Sequence, residues 1–232
     1  MLEIKNYNNF ILKDISFFLN NDENLLILGE NGAGKSTLAK VLSNLIANDN
    51  VKIFEESLSK ISNKQRVEYI NYIPPKFEIF DEFMTVLEFL EISFIDNIDE
   101  NKLKEVLNLL KLDKFVKKSC KNLSSGEKQL LLIASAILHN AKITIFDELT
   151  ANLDINRVKD IFNILNSNLL NQKIIITHNL DFAFALKYKV LFLKDGKIEF
   201  YGTNKEFFED INLEKIYNKT IKKVQNHIVV DL

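Results

Sequence analysis

The sequence predicts an α/β fold with a mostly parallel sheet, and three observations support this prediction. Short unbroken apolar runs recur along the 232 residues, which is typical of parallel strands covered by helices on both faces. Between these runs, apolar residues return at spacings of three and four, which predicts amphipathic helices. A glycine-rich loop follows the first of the runs and precedes the first of the helices.

The individual elements follow from these patterns. Strands of the parallel sheet are predicted at 25–28, 143–146, 174–176 and 190–193. Helices are predicted over 36–45, 101–112, 130–138 and 156–169.

The amino end adds a second kind of sheet. Residues 2–4, 11–18 and 24–28 form short apolar runs between Asn-rich turns, which predicts an antiparallel sheet laid beside the parallel one. The pair Asp195-Gly196, between Phe192 and Ile198, predicts a hairpin turn.

The chain is predicted to be a single domain, 1–232. Residues 1–76 and 137–232 supply the α/β core with its antiparallel subdomain. The stretch 86–136 contains no convincing strand, so about 77–136 is predicted to be a helical subdomain inserted into the core.

Composition narrows the class of protein. The net charge of −2 gives no bulk electrostatic attraction to a nucleic-acid backbone, so no nucleic-acid partner is expected. Cys120 is the only cysteine, which excludes an internal disulfide and fits a reducing compartment. No secretion signal or run of 18 apolar residues is present, so we expect a cytoplasmic location.

The glycine-rich loop GENGAGKST has the GxxxxGK[ST] form of a P-loop. Its glycines let backbone N–H groups converge on phosphate oxygens, and the helix start adds its positive dipole end. Lys35 is predicted to reach the β- and γ-phosphates, and Ser36 to place its hydroxyl on Mg²⁺. The predicted nucleotide-binding residues here are Gly29, Glu30, Asn31, Gly32, Ala33, Gly34, Lys35, Ser36 and Thr37.

A second motif, ITIFDE, begins about 110 residues after the loop. An apolar strand that ends in Asp147 places this carboxylate at the carboxyl edge of the sheet, where it is predicted to bind the Mg²⁺. Glu148, the next residue, is predicted to polarise the attacking water. The alternative is a strand that stops at two solvated acids. Together with the loop, the motif predicts a Mg²⁺-dependent nucleoside triphosphatase.

The stretch LSSGE, residues 123–127, discriminates among such enzymes. Nearly the whole chain, with its order of motifs, resembles the ATP-binding cassette (ABC) ATPases, whose signature LSGGQ takes this form here. The resemblance implies that Ser124, Ser125 and Gly126 close on the ATP held by the P-loop of a second subunit. The alternative for the two serines is a helix N-cap.

Three further positions match the family. The resemblance implies that Asp154, in the stretch ANLD, belongs to the D-loop that couples two sites across a dimer. It makes His178 the switch histidine that contacts the γ-phosphate. Tyr7 is similar to the aromatic residue that stacks on adenine, with Phe10 as runner-up and an ordinary strand-edge aromatic as the alternative.

The chain also departs from the family pattern. Ser125 replaces a glycine and Glu127 a glutamine of the signature, which predicts a modest loss of nucleotide sandwiching. Leu149 stands in place of a proline. Pro75 occupies the position of the Q-loop glutamine, and proline has neither a side-chain oxygen for Mg²⁺ nor a backbone donor.

The prediction is an ATP-hydrolysing subunit of a membrane transporter, with ATP and Mg²⁺ as cofactors. The resemblance implies a homodimer or a paired ATPase subunit, bound to transmembrane permease subunits at the inner face of the membrane. The tail of the chain is similar to importers of iron chelates and related compounds. The alternatives are a soluble ABC ATPase of iron–sulfur assembly or DNA repair, and an ATP-binding module with little turnover.

Overall fold

A computed structural model describes residues 1–76, 81–150, 153–218, 220–225 and 227–230. The chain divides into two compact units. The first combines Met1–Ile61 with Gln172–Leu232, and the second is Ser62–Asn171.

Strands and helices are numbered in chain order through both units. The first unit contains β1 Leu2–Tyr7, β2 Ile15–Leu19, β3 Leu25–Gly29, α1 Lys35–Leu42, β4 Val51–Ile53, β5 Glu56–Ser57, β8 Gln172–Ile176, α7 Leu180–Leu186, β9 Lys189–Lys194, β10 Lys197–Gly202, α8 Asn204–Phe207, α9 Asp210–Tyr217, β11 Ile221–Val224 and β12 His227–Val230. The second contains α2 Asn63–Tyr69, β6 Ile70–Ile73, α3 Val86–Glu91, α4 Glu100–Leu109, α5 Ser125–His139, β7 Ile143–Asp147 and α6 Ile155–Leu165.

The first unit is built around a mixed, mostly parallel set of strands. β3 pairs in parallel with β8 on one side and β9 on the other, and β10 closes antiparallel on β9. The four apolar residues of β3 are almost fully buried, which is typical of a central parallel strand whose sheet is covered on both faces. The strands predicted at 25–28, 174–176 and 190–193 and the hairpin at Asp195-Gly196 are confirmed.

A separate antiparallel sheet lies at the amino end, in the order β2-β1-β4-β5. The run at 24–28 is not one of its strands, because β3 belongs to the parallel set. Its place is taken by β4 and β5, which are three and two residues long and too short to give a strand pattern. The prediction of an antiparallel sheet at the amino end is therefore confirmed, but the strand predicted at 24–28 is not part of that sheet.

The second unit carries one parallel strand pair and most of the helices. β6 and β7 pair in parallel, and all five residues of β7 are buried. Helices α3 and α4 fall within the stretch predicted to be helical, whereas α5 begins there and ends at His139, three residues past the predicted boundary at 136. Nine of the fifteen residues of α5 are buried. Residues 77–80 lie outside the described part of the chain, and the helical subdomain stays a prediction.

No helix in the described ranges combines the length and the apolar character needed to cross a membrane.

Candidate active site

The P-loop runs from the end of β3 into α1, and two glycines shape it. Gly29 adopts φ 149°, and a Cβ there would lie 2.2 Å from the backbone oxygen of Leu193. Gly34 adopts φ 101°, and a Cβ there would lie 2.7 Å from Leu12 Cδ2. Both backbone conformations are strained for residues with a side chain, so the loop requires glycine at these places.

Lys35 is folded back over the loop. Its side chain is buried, and Nζ donates to the carbonyl oxygens of Gly29, at 2.9 Å, and Glu30, at 2.8 Å. The ammonium group is thus fixed above the loop in which Asn31, Gly32 and Ser36 are exposed, Ala33 and Gly34 are buried and Thr37 is half-buried. The P-loop therefore places the positive charge of Lys35 next to the backbone N–H groups at the start of α1.

The start of α1 lacks any internal cap. Gly34 at the N-cap has no side chain to bond the first N–H groups, and the first turn contains no acidic residue. The N–H groups of a helix start need acceptors, and here no side chain in the cap supplies one. An external anion such as a phosphate fits this role.

The two aromatic candidates for adenine differ in exposure. Tyr7 ends β1 with a ring that is 6% exposed, and its hydroxyl accepts a hydrogen bond from Asn9 Nδ2 at 3.1 Å. Phe10 is 88% exposed. Asn9 Oδ1 accepts from the backbone N–H groups of Ile11, at 2.8 Å, and Leu12, at 2.6 Å, which holds the turn in which Phe10 lies. The turn therefore offers Phe10, not Tyr7, as an open ring face.

In the second unit, Asp147 is the last residue of β7 and is 1% exposed. The hydroxyl of Tyr72, on β6, donates to Asp147 Oδ2 at 3.0 Å. Burial, the nearby charge of Asp147 and this hydrogen bond raise the pKa of Tyr72 well above its usual value. Within the described part of the chain, Asp147 Oδ1 is buried and receives no hydrogen bond.

Glu148 follows directly with φ 56°. A left-handed conformation is uncommon for a residue with a side chain, and here it turns the chain sharply at the end of β7. The turn separates the two acids, so Asp147 stays in the strand while Glu148 begins the loop. A buried carboxylate oxygen without a donor, beside a second acid, suits a cation.

The signature stretch begins α5 and caps it. Ser124 Oγ accepts from the backbone N–H of Glu127 at 3.3 Å, and Glu127 Oε2 accepts from the backbone N–H of Ser124 at 2.9 Å. Lys118 Nζ lies 3.4 Å from the same carboxylate oxygen. The N-cap alternative for Ser124 is thus what this structure shows, while Ser125 and Gly126 form the first turn.

The other two predicted residues lie at helix starts. Asp154 is the N-cap of α6, and its Oδ1 accepts from the backbone N–H of Arg157 at 3.0 Å. Residues 151 and 152 of the predicted D-loop lie outside the described part of the chain. His178 is exposed in the turn between β8 and α7, where Asn179 caps the helix. Pro75 lies two residues after β6.

The structure thus groups the predicted residues by unit. The loop, Lys35, Ser36 and His178 belong to the first unit, and Asp147, Glu148, Asp154 and the signature serines to the second. Sequence reasoning missed Tyr72. No local signal could find it, because its partner Asp147 is 75 residues away.

Comparison with known proteins gives the family. A family model described as ABC transporter matches residues 12–151. The phosphonates import ATP-binding protein PhnC of Fusobacterium nucleatum is 30% identical, over 92% of this chain and 95% of that protein. The methionine import ATP-binding protein MetN of Clostridium acetobutylicum is 32% identical, over 90% of this chain and 70% of that protein. A relative from Clostridium tetani is longer, and the match spans 50% of it.

Solved structures agree in fold. The structure of an ATP binding subunit of an ABC transporter superposes with a TM-score of 0.81 at 22% identity, covering 94% of this chain and 98% of that one. The chain belongs to the ABC transporter family, as an ATP-binding subunit. It is an ABC ATPase, and its role is to energise a transporter. The soluble repair or assembly alternative is not favoured by these relatives.

Proposed function

We propose that this chain hydrolyses MgATP in a dimer of ATPase subunits that drives permease subunits at the inner face of a membrane. The observation that carries the proposal is the P-loop, in which a buried Lys35 lies beside a helix start that no side chain caps. The same chain also contains the acids Asp147 and Glu148. The assignment of these residues to one reaction rests on membership of the family.

Each residue has a role in the proposed reaction. The N–H groups of residues 29–37 and the ammonium of Lys35 bind the β- and γ-phosphates. Ser36 and Asp147 hold Mg²⁺, which neutralises charge on the phosphate oxygens when it is bound. Glu148 accepts a proton from the attacking water, and His178 contacts the γ-phosphate. Phe10 stacks on adenine in place of Tyr7, because only Phe10 has an open face.

A second subunit completes the proposed site. Ser124, Ser125 and Gly126 bind the ATP of the partner subunit, and Asp154 couples the two sites. The helix start at Ser125 is exposed, so a phosphate can reach its N–H groups. The cap between Ser124 and Glu127 has to open, or share its donors, when it does so.

Glu148→Gln tests this proposal. The amide cannot accept the proton, so turnover should fall by about 100-fold or more while MgATP binding is kept. Trapped ATP should then hold a dimer, which size-exclusion chromatography resolves. Glu214→Gln, an exposed residue on α9, is the matched control and should leave turnover unchanged. A Glu148→Gln chain that stays monomeric in saturating MgATP contradicts the dimer.

The proposed permease contact lies beside α3. Phe83 is 86% exposed and Ile92 is 68% exposed, which is more apolar surface than a solvated connector needs. Met84, the residue after Phe83, is half-buried, and Phe77 and Phe80, nearby in the sequence, lie outside the described part of the chain.

Phe83→Asp tests this contact. The variant should lose co-purification with a membrane-spanning partner, while its soluble ATPase activity and melting temperature stay near wild type. Leu45→Asp, which changes a residue 64% exposed in the other unit, is the matched control. A joint collapse of activity and melting temperature would show that Phe83 stabilises the fold instead.

Cargo is assigned to the permease. Relatives with similar identity to this chain are named for phosphonates and for methionine, so we assign no cargo preference to the ATPase residues themselves. The similarity to iron-chelate importers therefore does not identify the cargo.

Pro75 is proposed to weaken the coupling between permease and ATPase more than ATP hydrolysis itself, since water can fill the place of a missing Mg²⁺ ligand. Binding of MgATP without turnover in the presence of the permease would favour the binding-only alternative.

A further inference from the structure

Tyr72 donates a hydrogen bond through its hydroxyl to Asp147, the acid that the proposed reaction assigns to the metal. It lies on β6, where it is the register partner of Ile145 on β7. Partners in parallel strands share a face, and so do residues two apart on one strand. Tyr72 therefore lies on the same face of the sheet as Asp147, and its long ring carries the hydroxyl along the strand to the carboxylate.

The hydrogen bond divides the carboxylate into two unlike oxygens. Oδ2 accepts the Tyr72 hydroxyl at 3.0 Å, whereas Oδ1 is buried and receives no hydrogen bond from the described residues. A carboxylate is planar, so fixing one oxygen restricts where the other can lie. A buried, unsatisfied anionic oxygen is costly unless a cation or a donor meets it.

We propose that Tyr72 is a positioning residue for metal binding: its hydroxyl holds Asp147 Oδ2 and thereby presents Oδ1 to Mg²⁺. The inference rests on the proposed function, since it takes Asp147 as the metal-binding acid. Groups that hydrogen-bond metal ligands orient them, and their removal typically weakens metal binding by 10- to 100-fold.

The test compares mant-ATP dissociation constants measured by fluorescence in EDTA and in excess Mg²⁺. The dissociation constant in EDTA divided by that in Mg²⁺ gives the factor by which the metal tightens nucleotide binding. This ratio separates the contribution of the metal from that of the nucleotide. Tyr72→Phe removes only the hydroxyl and should lower this ratio about 10-fold, with the affinity in EDTA unchanged. Tyr201→Phe is the matched control, because its hydroxyl donates to the backbone oxygen of Phe18, and it should leave the ratio at the wild-type value.

Asp147→Asn separates the failure of this inference from failure of the proposed function. If Asp147→Asn lowers the ratio and Tyr72→Phe does not, the positioning role is overturned and the metal site stands. If Asp147→Asn leaves the ratio unchanged, the metal role of Asp147 fails and the inference falls with it. An equal loss of affinity in EDTA and in Mg²⁺ for Tyr72→Phe shows a structural role only, which overturns the inference.

The double variant keeps the test decisive if Tyr72→Phe alone folds poorly. Asp147→Asn with Tyr72→Phe removes the unsatisfied charge together with the hydroxyl. Because Tyr72 is proposed to act only through Asp147, the double variant should show the same ratio as Asp147→Asn alone. A further drop in the ratio would overturn the proposal.

Discussion

Two helix starts in this chain were expected to meet phosphates, and they are built differently. α1 begins after Gly34 with no side-chain cap and no acid in its first turn. α5 begins after Ser124 with a complete capping box, in which Glu127 occupies the third helical position. The equivalent third position in α1 is Thr37.

The two helix starts satisfy their first backbone N–H groups in different ways. In α5, the serine and glutamate side chains satisfy two of the N–H groups at the helix start, so fewer are left for a ligand than in α1. In α1, no side chain of the cap does so, and the nearby ammonium of Lys35 favours an anion. A ligand therefore stabilises α1 directly, whereas at α5 it must compete with the chain's own groups.

Lys35→Ala should have the largest effect on this comparison. It removes a charge-assisted contact to phosphate and two hydrogen bonds to the loop, so MgATP affinity should fall on the order of 100-fold. Fluorescence titration with mant-ATP measures the loss. Lys40→Ala, in the last turn of α1, should bind as wild type does. Equal losses in the two variants would mean that charge on the helix, not the position of Lys35, sets the affinity.

Thr37→Glu makes the start of α1 resemble that of α5. An acid at the third position can occupy the free N–H groups and also repels phosphate, so affinity should fall about 10-fold while the melting temperature is kept or raised. Thr37→Gln has a similar size without the charge and should lose less. If Thr37→Glu and Thr37→Gln lose affinity equally, charge repulsion contributes nothing, and wild-type affinity in both would show that self-capping does not weaken binding either.

Glu127→Gln should have the smallest effect, a small loss of folding stability that depends on pH. The hydrogen bond from the Ser124 backbone N–H lowers the pKa of Glu127, burial opposes this, and Lys118 adds to it. A lowered pKa stabilises the fold above the unfolded value of about 4.3, and the gain is lost as pH falls through the folded pKa. Wild type should therefore have a higher urea midpoint than Glu127→Gln at pH 7. The gap should close under acid conditions, and a gap that does not change with pH would contradict a stabilising role of the ionised Glu127 carboxylate.

The sequence predicted the strands and the loop well because their signals are local. The apolar run at 25–28 and the glycines after it predict β3 and the loop without reference to other parts of the chain. The same patterns missed β4 and β5, since two or three residues cannot form a period. The cap at Ser124 was foreseen only as an alternative, because S-x-x-E suits both a cap and an anion site.

The sequence by itself determined which chemical groups this protein carries and the backbone conformation of the P-loop, because glycine preferences and a helix start act within a few residues. Tertiary structure alone decided which groups meet. The register of β6 on β7 brings the Tyr72 hydroxyl to Asp147, 75 residues along the chain. Packing likewise buries the ring of Tyr7 and leaves Phe10 in the open. Pairing and burial depend on distant residues, so no short pattern specifies them.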